Sequence, residues 1–173
     1  MSGGSVRRAQ LVSPFGVGAM SVLVDGTSVI TAGLDYWFPE PDKHPSFELS
    51  EFVEHDWRLQ ERLSVASFRL PPDHREGRGD DKNLGLKVPA LRFPTWNVCP
   101  LCRRMTRSPL TMRQVPKCSD NAHSNKRLTQ VPFVAICSDG HIDDFPFREW
   151  VHQSVHPSCQ GQLRLKSSGG GGL

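Results

Sequence analysis

The sequence predicts an α+β fold, an N-terminal β-hairpin plus helix followed by a second half of short strands gathered around cysteines. Three observations carry this reading. Asp25-Gly26 sits between apolar runs as a hairpin signal, because both central positions of a type I′ turn need positive φ. Leu49, Phe52, Val53, Trp57 and Leu63 recur mostly at helical spacings. Cys99-Pro-Leu-Cys102 and three later cysteines lie in the second half, with short apolar runs at 88–93 and 131–136 leading into Cys99 and Cys137.

Taken in order, residues 13–18 (Ser-Pro-Phe-Gly-Val-Gly) form a loop that lacks the Lys-Ser/Thr ending of a phosphate-binding loop. A hairpin is expected over 20–24 and 27–33, a polar, Pro-rich loop over 39–46, and a helix over 47–63. Ser46 or Ser50 would cap that helix, above an acidic first turn. A strand over 65–70 ends at Pro71-Pro72. Residues 71–87, rich in Pro, Gly, Asp and Arg, read as a linker between a 1–70 domain and an 88–165 module. In that module, strands are expected at 88–93 and 131–136. A short helix would be capped by Asp143 or Asp144, with Pro146 in its first turn and its end near Ser154. Residues 166–173 read as a flexible, Gly-rich tail.

Composition excludes some classes. The chain has 173 residues, 37% hydrophobic and 23% charged, with no apolar run long enough to span a bilayer. Its first residues carry arginines but no apolar h-region, so a cytoplasmic location without membrane partners is expected. In a reducing compartment, five cysteines beside histidines point to metal rather than disulfides. Charge is uneven: residues 35–62 hold eight acids against three bases, and residues 103–127 seven bases against one acid. The basic stretch, with Arg103, Arg104, Arg107, Arg113 and Lys117, suits sequence-independent contacts to DNA phosphates, and equally a solvated basic face.

Two thiolates separated by two residues grip one zinc ion (Zn2+) from a tight knuckle, and a tetrahedral site needs two further donors. Cys118 and His123 supply them at Cys-x4-His spacing. A redox dithiol would want a thioredoxin-like βαβ context, which is missing. Cys137-Ser-Asp-Gly-His141, with His152 and Cys159, offers a second site; a buried thiol with a hydrogen-bonded His141 accounts for the same residues. A single ribbon of Cys99, Cys102, Cys137 and His141 is a further pairing. Asp143 and Asp144 beside His141 raise a different class, a metal-dependent nuclease.

Several segments together resemble the N-terminal part of DrmB-type proteins of the DISARM bacteriophage-defence system. They are Arg8-Ala-Gln-Leu-Val-Ser-Pro-Phe-Gly-Val-Gly-Ala, Thr31-Ala-Gly-Leu-Asp-Tyr-Trp, Leu91-Arg-Phe-Pro-Thr-Trp-Asn-Val-Cys-Pro-Leu-Cys, and Val131-Pro-Phe-Val-Ala-Ile-Cys-Ser-Asp-Gly-His-Ile-Asp-Asp-Phe-Pro-Phe followed by Trp150-Val-His152. The resemblance spans most of residues 7–165 in matching order. It implies a bacterial, non-enzymatic, DNA-associated accessory protein with cysteine-rich zinc elements and a helicase-like partner subunit. Two departures stand out. Asn121 occupies the position of the family's fourth zinc cysteine, which leaves His123 as the substitute. Family members are also several times longer, so an N-terminal fragment or an inactive truncated product is a further reading. The function expected is therefore a zinc-binding, zinc-ribbon-like accessory module that assists a helicase-like subunit on DNA.

Overall fold

The computed structural model describes residues 6–40, 46–77, 81–123 and 125–166. The expected loop at 39–46 and the expected tail at 166–173 therefore lie largely outside the described residues. The observed class is mixed α and β, built, among the described residues, from small antiparallel sheets and two short helices. Among the described residues, ten strands run β1 Met20–Val22, β2 Ser28–Thr31, β3 Val53–Glu54, β4 Phe68–Arg69, β5 Ala90–Arg92, β6 Trp96–Val98, β7 Met105–Arg107, β8 Thr129–Gln130, β9 Val134–Ile136 and β10 Ile142–Asp144. The helices are α1 Trp57–Leu63 and α2 Phe147–His152. The chain forms two compact units: residues 1–24 with 30–90, and residues 25–29 with 91–173.

β1, which belongs to the first unit, is a sheet neighbour of β2, as the hairpin reading requires. The turn is not the expected one. Only Gly26 of the Asp25-Gly26 pair has positive φ, at 82°. The Asp25 carboxylate instead accepts a hydrogen bond from the Thr27 N–H at 2.9 Å, an Asx turn that lengthens the connection. The long helix expected over 47–63 is broken into a 3-10 turn Leu49–Phe52, strand β3 and helix α1. Neither Ser46 nor Ser50 caps α1. Asp56 does, its carboxylate accepting from the Arg58 and Leu59 N–H groups at 3.1 Å. The helix ends at Ser64, which takes a left-handed conformation, and Val65 N–H returns to the Gln60 carbonyl. That cap consumes the start of the strand expected at 65–70, leaving β4 to pair with β3.

Phe52 is the pin of this unit, fully buried against Phe38 and Phe47, with the Arg8 guanidinium 5.7 Å from its ring centre. The segment expected as a linker is tied into the same unit by its charges. Asp73 pairs with Arg8 at 2.7 Å and Arg75 at 3.0 Å, and Arg75 pairs with Glu51. Asn83, almost fully buried, accepts from Glu48 N–H through its side-chain oxygen and donates to the Glu48 carbonyl and the Glu51 carboxylate. A composition rich in Asp and Arg is compatible with a linker, but Asp73 and Arg75 have partners in the folded unit.

The second unit centres on β6, buried throughout and flanked by β7 on one side and β8 on the other. Trp96, Val98, Met105 and Val131 form its core, with Phe147, Leu163 and Leu165 packed against them. Of the strand expected at 131–136 only Val134–Ile136 forms, as β9; Pro132, which brings no N–H to a ladder, lies in the break between it and β8. Asp143 and Asp144 do not cap α2. They belong to β10, which pairs with β9 in the register Ile142 with Ile136 and Asp144 with Val134. Pro146 precedes α2 without a capping side chain.

Two measurements check the first unit. Phe52→Ala should cost roughly 3–5 kcal/mol in denaturant unfolding, since it removes a fully buried ring from a three-ring cluster. Acid should act through the charge network. Lys82 and Ser50 hold the Glu48 carboxyl below its ordinary range, and Asn83 and Arg75 do the same for Glu51. Burial raises that of Asp73, but Arg75 and Arg8 outweigh it. Folded values below unfolded ones stabilise above the ordinary carboxylate range and are lost as pH falls through the depressed values. The unfolding midpoint should therefore hold from pH 7 to about pH 5 and fall below it, less steeply in Glu51→Gln.

Candidate metal centre

Strand β6 delivers Cys99 into the interior, where the chain turns through Pro100 and Leu101 and comes back as β7. Arg103 takes positive φ, 61°, at the end of that turn, and its N–H donates to the Cys99 carbonyl at 2.9 Å. Cys99 N–H donates to the Arg104 carbonyl at 2.9 Å, so the knuckle is closed at both ends. The second pair of donors comes from the loop before β8. Cys118 N–H is held by the Lys126 carbonyl, and Leu128 N–H by the Pro116 carbonyl. Between them runs a 3-10 turn, Asn121–His123. Asp120 starts it by accepting from Ala122 N–H, and its carboxylate pairs with Arg104 at 3.4 Å. The turn swings the His123 ring back onto Cys118, with Nδ1 to Sγ at 3.3 Å.

The result is a set of four donors, Cys99, Cys102, Cys118 and His123, whose ligand atoms all lie within 4.8 Å of one another. Cys99 and Cys118 are buried, and Cys102 and His123 half-buried. Cys102 and Cys118 sulfurs stand 3.7 Å apart. A tetrahedral ion with Zn–S bonds of about 2.3 Å separates its sulfurs by about 3.8 Å, whereas a disulfide would bring them to about 2.05 Å. The electrostatics agree with shared ligation. Burial raises the Cys99 thiol, but the backbone N–H groups of Cys102 and Leu101 outweigh it and leave it below its ordinary value. Asp120 N–H favours ionisation of Cys118, yet burial and the neighbouring sulfurs of Cys99 and Cys102 push it up. Three thiolates this close repel one another, and a cation removes that conflict. His123, not Asn121, completes the four. Leu128 packs over the buried cysteines and excludes water from them.

The other residues singled out from the sequence fall elsewhere. Cys137 and His141 lie together with Asp139 in an exposed group; His152 and Cys159 join neither group, and Cys99 and Cys102 are not grouped with Cys137 and His141. Asp144 is a buried strut: it accepts from Thr95 N–H at 2.7 Å, from the Thr95 hydroxyl, and from Arg107 at 3.3 Å. Its neighbour Asp143 is exposed and bonds the Asp144 N–H. Sequence reading missed the Thr95–Asp144 link, whose partners are 49 residues apart and carry no local signature. The basic stretch is partly neutralised. Arg104 pairs with Asp120, Arg107 with Asp144, and Arg103 donates to the Leu165 carbonyl, whereas Arg113 and Lys117 are exposed.

Because the donors come from two separate segments, an ion held there would couple its binding to folding, with roughly 10–16 kcal/mol at stake in comparable small zinc sites. Cys99→Ser should release the ion and collapse the second unit, and strong chelator should do the same to the parent chain. His123→Ala should loosen the ion while leaving the three thiolates in place. Metal analysis with near-UV circular dichroism checks all three.

Comparison with known proteins adds the family. The DISARM protein DrmB of Bacillus paralicheniformis (strain ATCC 9945a / NCIMB 11709 / CD-2) is 36% identical over 90 residues, which cover 47% of this chain. The matched stretch spans 16% of that relative's length. This bears out the resemblance to DrmB-type proteins read from the sequence. A family described as a domain of unknown function, DUF8724, matches residues 7–173. With nearly its whole length matched, the chain belongs to the DUF8724 family.

Proposed function

We propose that this chain is a non-enzymatic zinc-binding module of a DrmB-type antiphage defence protein, one that assists a helicase-like DISARM subunit on DNA. The observation that carries the reading is the 36% identity to the DISARM protein DrmB. The donor set supports zinc as the ion. Three sulfurs and one imidazole suit a borderline-soft ion that accepts tetrahedral geometry, and four protein donors leave no position for substrate. Such a site holds a fold together rather than performing chemistry. The zinc-ribbon comparison rests on the same geometry, a knuckle between β6 and β7 facing a second loop ahead of β8.

The non-enzymatic reading is supported by Asp144, the carboxylate that a nuclease built around His141, Asp143 and Asp144 would need. It is engaged by Thr95 and Arg107 inside the fold. DNA contact falls to the exposed bases of the metal loop, Arg113, Lys117, Lys126 and Arg127, more than to the paired Arg104 and Arg107. Among the described residues no helix is long and apolar enough to cross a membrane.

Two experiments test the proposal. The tagged chain should capture the helicase-like DISARM subunit, and absence of capture rejects the partner. Binding to DNA should weaken with salt and show little sequence preference. Each phosphate contact removed by Arg113→Glu or Lys117→Glu should lower the log–log salt slope by about 0.9. Unchanged affinity in the variant carrying both substitutions would remove the metal loop as the contact. No strand scission is expected with magnesium or manganese, and cleavage lost in Asp144→Asn would overturn the non-enzymatic reading.

A further inference from the structure

The hairpin between β9 and β10 ends in a turn that sets three donor side chains side by side. Ile136 pairs with Ile142, so Cys137 and His141 face each other on the next rung, with side chains on the same side of the ribbon. Cys137 N–H donates to the His141 carbonyl at 3.1 Å, and Gly140 N–H to the Cys137 carbonyl at 3.0 Å. Gly140 has φ +81°, a conformation that glycine adopts without strain. These backbone constraints hold thiol and imidazole in register, with Cys137 Sγ and His141 Nδ1 3.3 Å apart. Asp139, inside the turn, brings a carboxylate oxygen within 4.8 Å of both. All three residues are exposed.

We propose that Cys137, Asp139 and His141 form a second, open metal site that takes a zinc-class divalent ion and leaves one position for an outside donor. A thiolate, an imidazole and a carboxylate together select a borderline ion; magnesium and calcium want oxygen donors only. Three protein ligands fill three of the four tetrahedral positions, so water or a donor from another molecule takes the last. Binding displaces the Cys137 thiol proton to solvent, since the thiolate is the ligand. His152 and Cys159 are not part of this site; the Cys159 sulfur accepts from Gly161 N–H at 3.3 Å. Exposure makes the ion exchangeable, unlike one enclosed at Cys99 and Cys118. The far end of the same hairpin seats Asp144 on Thr95, so an ion at the tip stiffens the ribbon that carries this strut. The geometry is independent of the Cys99 centre, and its failure would leave that centre standing.

The test uses the full chain, loaded with about one equivalent of Zn2+ and titrated with Co2+. A further equivalent should bind with a thiolate-to-cobalt absorption band. Cys137→Ser and His141→Ala should abolish it, Asp139→Asn should weaken Co2+ binding by about tenfold or more, and His152→Ala and Cys159→Ser should leave it intact. Imidazole added afterwards should shift the visible bands as it enters the open position. Zinc retained by each variant under mild chelation reports that the second unit is folded. The proposal is overturned if no Co2+ binds beyond the first equivalent. It is equally overturned if the band depends on His152 or Cys159, or if imidazole leaves the spectrum unchanged.

Discussion

The second unit depends on bringing three sulfurs and one imidazole to a single point. Its strands are two or three residues long, and its main apolar core has four buried side chains. Ladders that short have few hydrogen bonds, and a core that small offsets little of the entropy of ordering the loops. The Cys99–Cys102 knuckle and the Cys118–His123 loop close two such loops onto one another. With an ion between them, the cross-link substitutes for the core that is missing. Without one, burial and mutual repulsion of the thiolates work against the same geometry.

A second, ion-free link does comparable work nearby. Asp144 reaches from β10 to the backbone and hydroxyl of Thr95, at the entrance to β6, and to Arg107 of β7. A buried carboxylate is tolerated because its oxygens are met by a backbone N–H, a hydroxyl and a guanidinium. Asn97 adds a shorter tie, donating to the Thr95 carbonyl and the Ser108 hydroxyl. The strand leading into the metal centre is thus fixed at its start by hydrogen bonds and at its end by cysteine.

What was legible in the sequence was local. The Cys-x2-Cys knuckle, the Cys118–His123 spacing and the pairing of β1 with β2 rest on neighbouring residues. The 47–63 segment misled because helical spacing persists across a 3-10 turn and a bridge strand, and Asp56 restarts the helix with its own cap. Asp143-Asp144 before Pro146 has the composition of a helix start, but Asp144 answers a residue in a different strand. The 71–87 stretch carries charges typical of a linker, and only the fold reveals that Arg8, Glu48 and Glu51 meet Asp73, Lys82 and Arg75. In the last two cases the deciding partner is distant along the chain, where periodicity and composition do not reach.

The composition of the second unit has a consequence for how the chain can be divided. Residues 25–29 belong with 91–173, and the Gln130 side chain accepts from Ser28 N–H at 2.8 Å while donating to the Ser28 and Pro94 carbonyls. Phe93 N–H also donates to the Ser28 carbonyl. No single cut in the sequence releases this unit whole. A gene fragment beginning at residue 91 would leave Gln130 without the backbone it brackets, and during synthesis the Ser28 segment must wait for a partner translated 102 residues later. A break near residue 90 therefore keeps the first unit's residues together but strips the second of the Ser28 segment that Gln130 brackets.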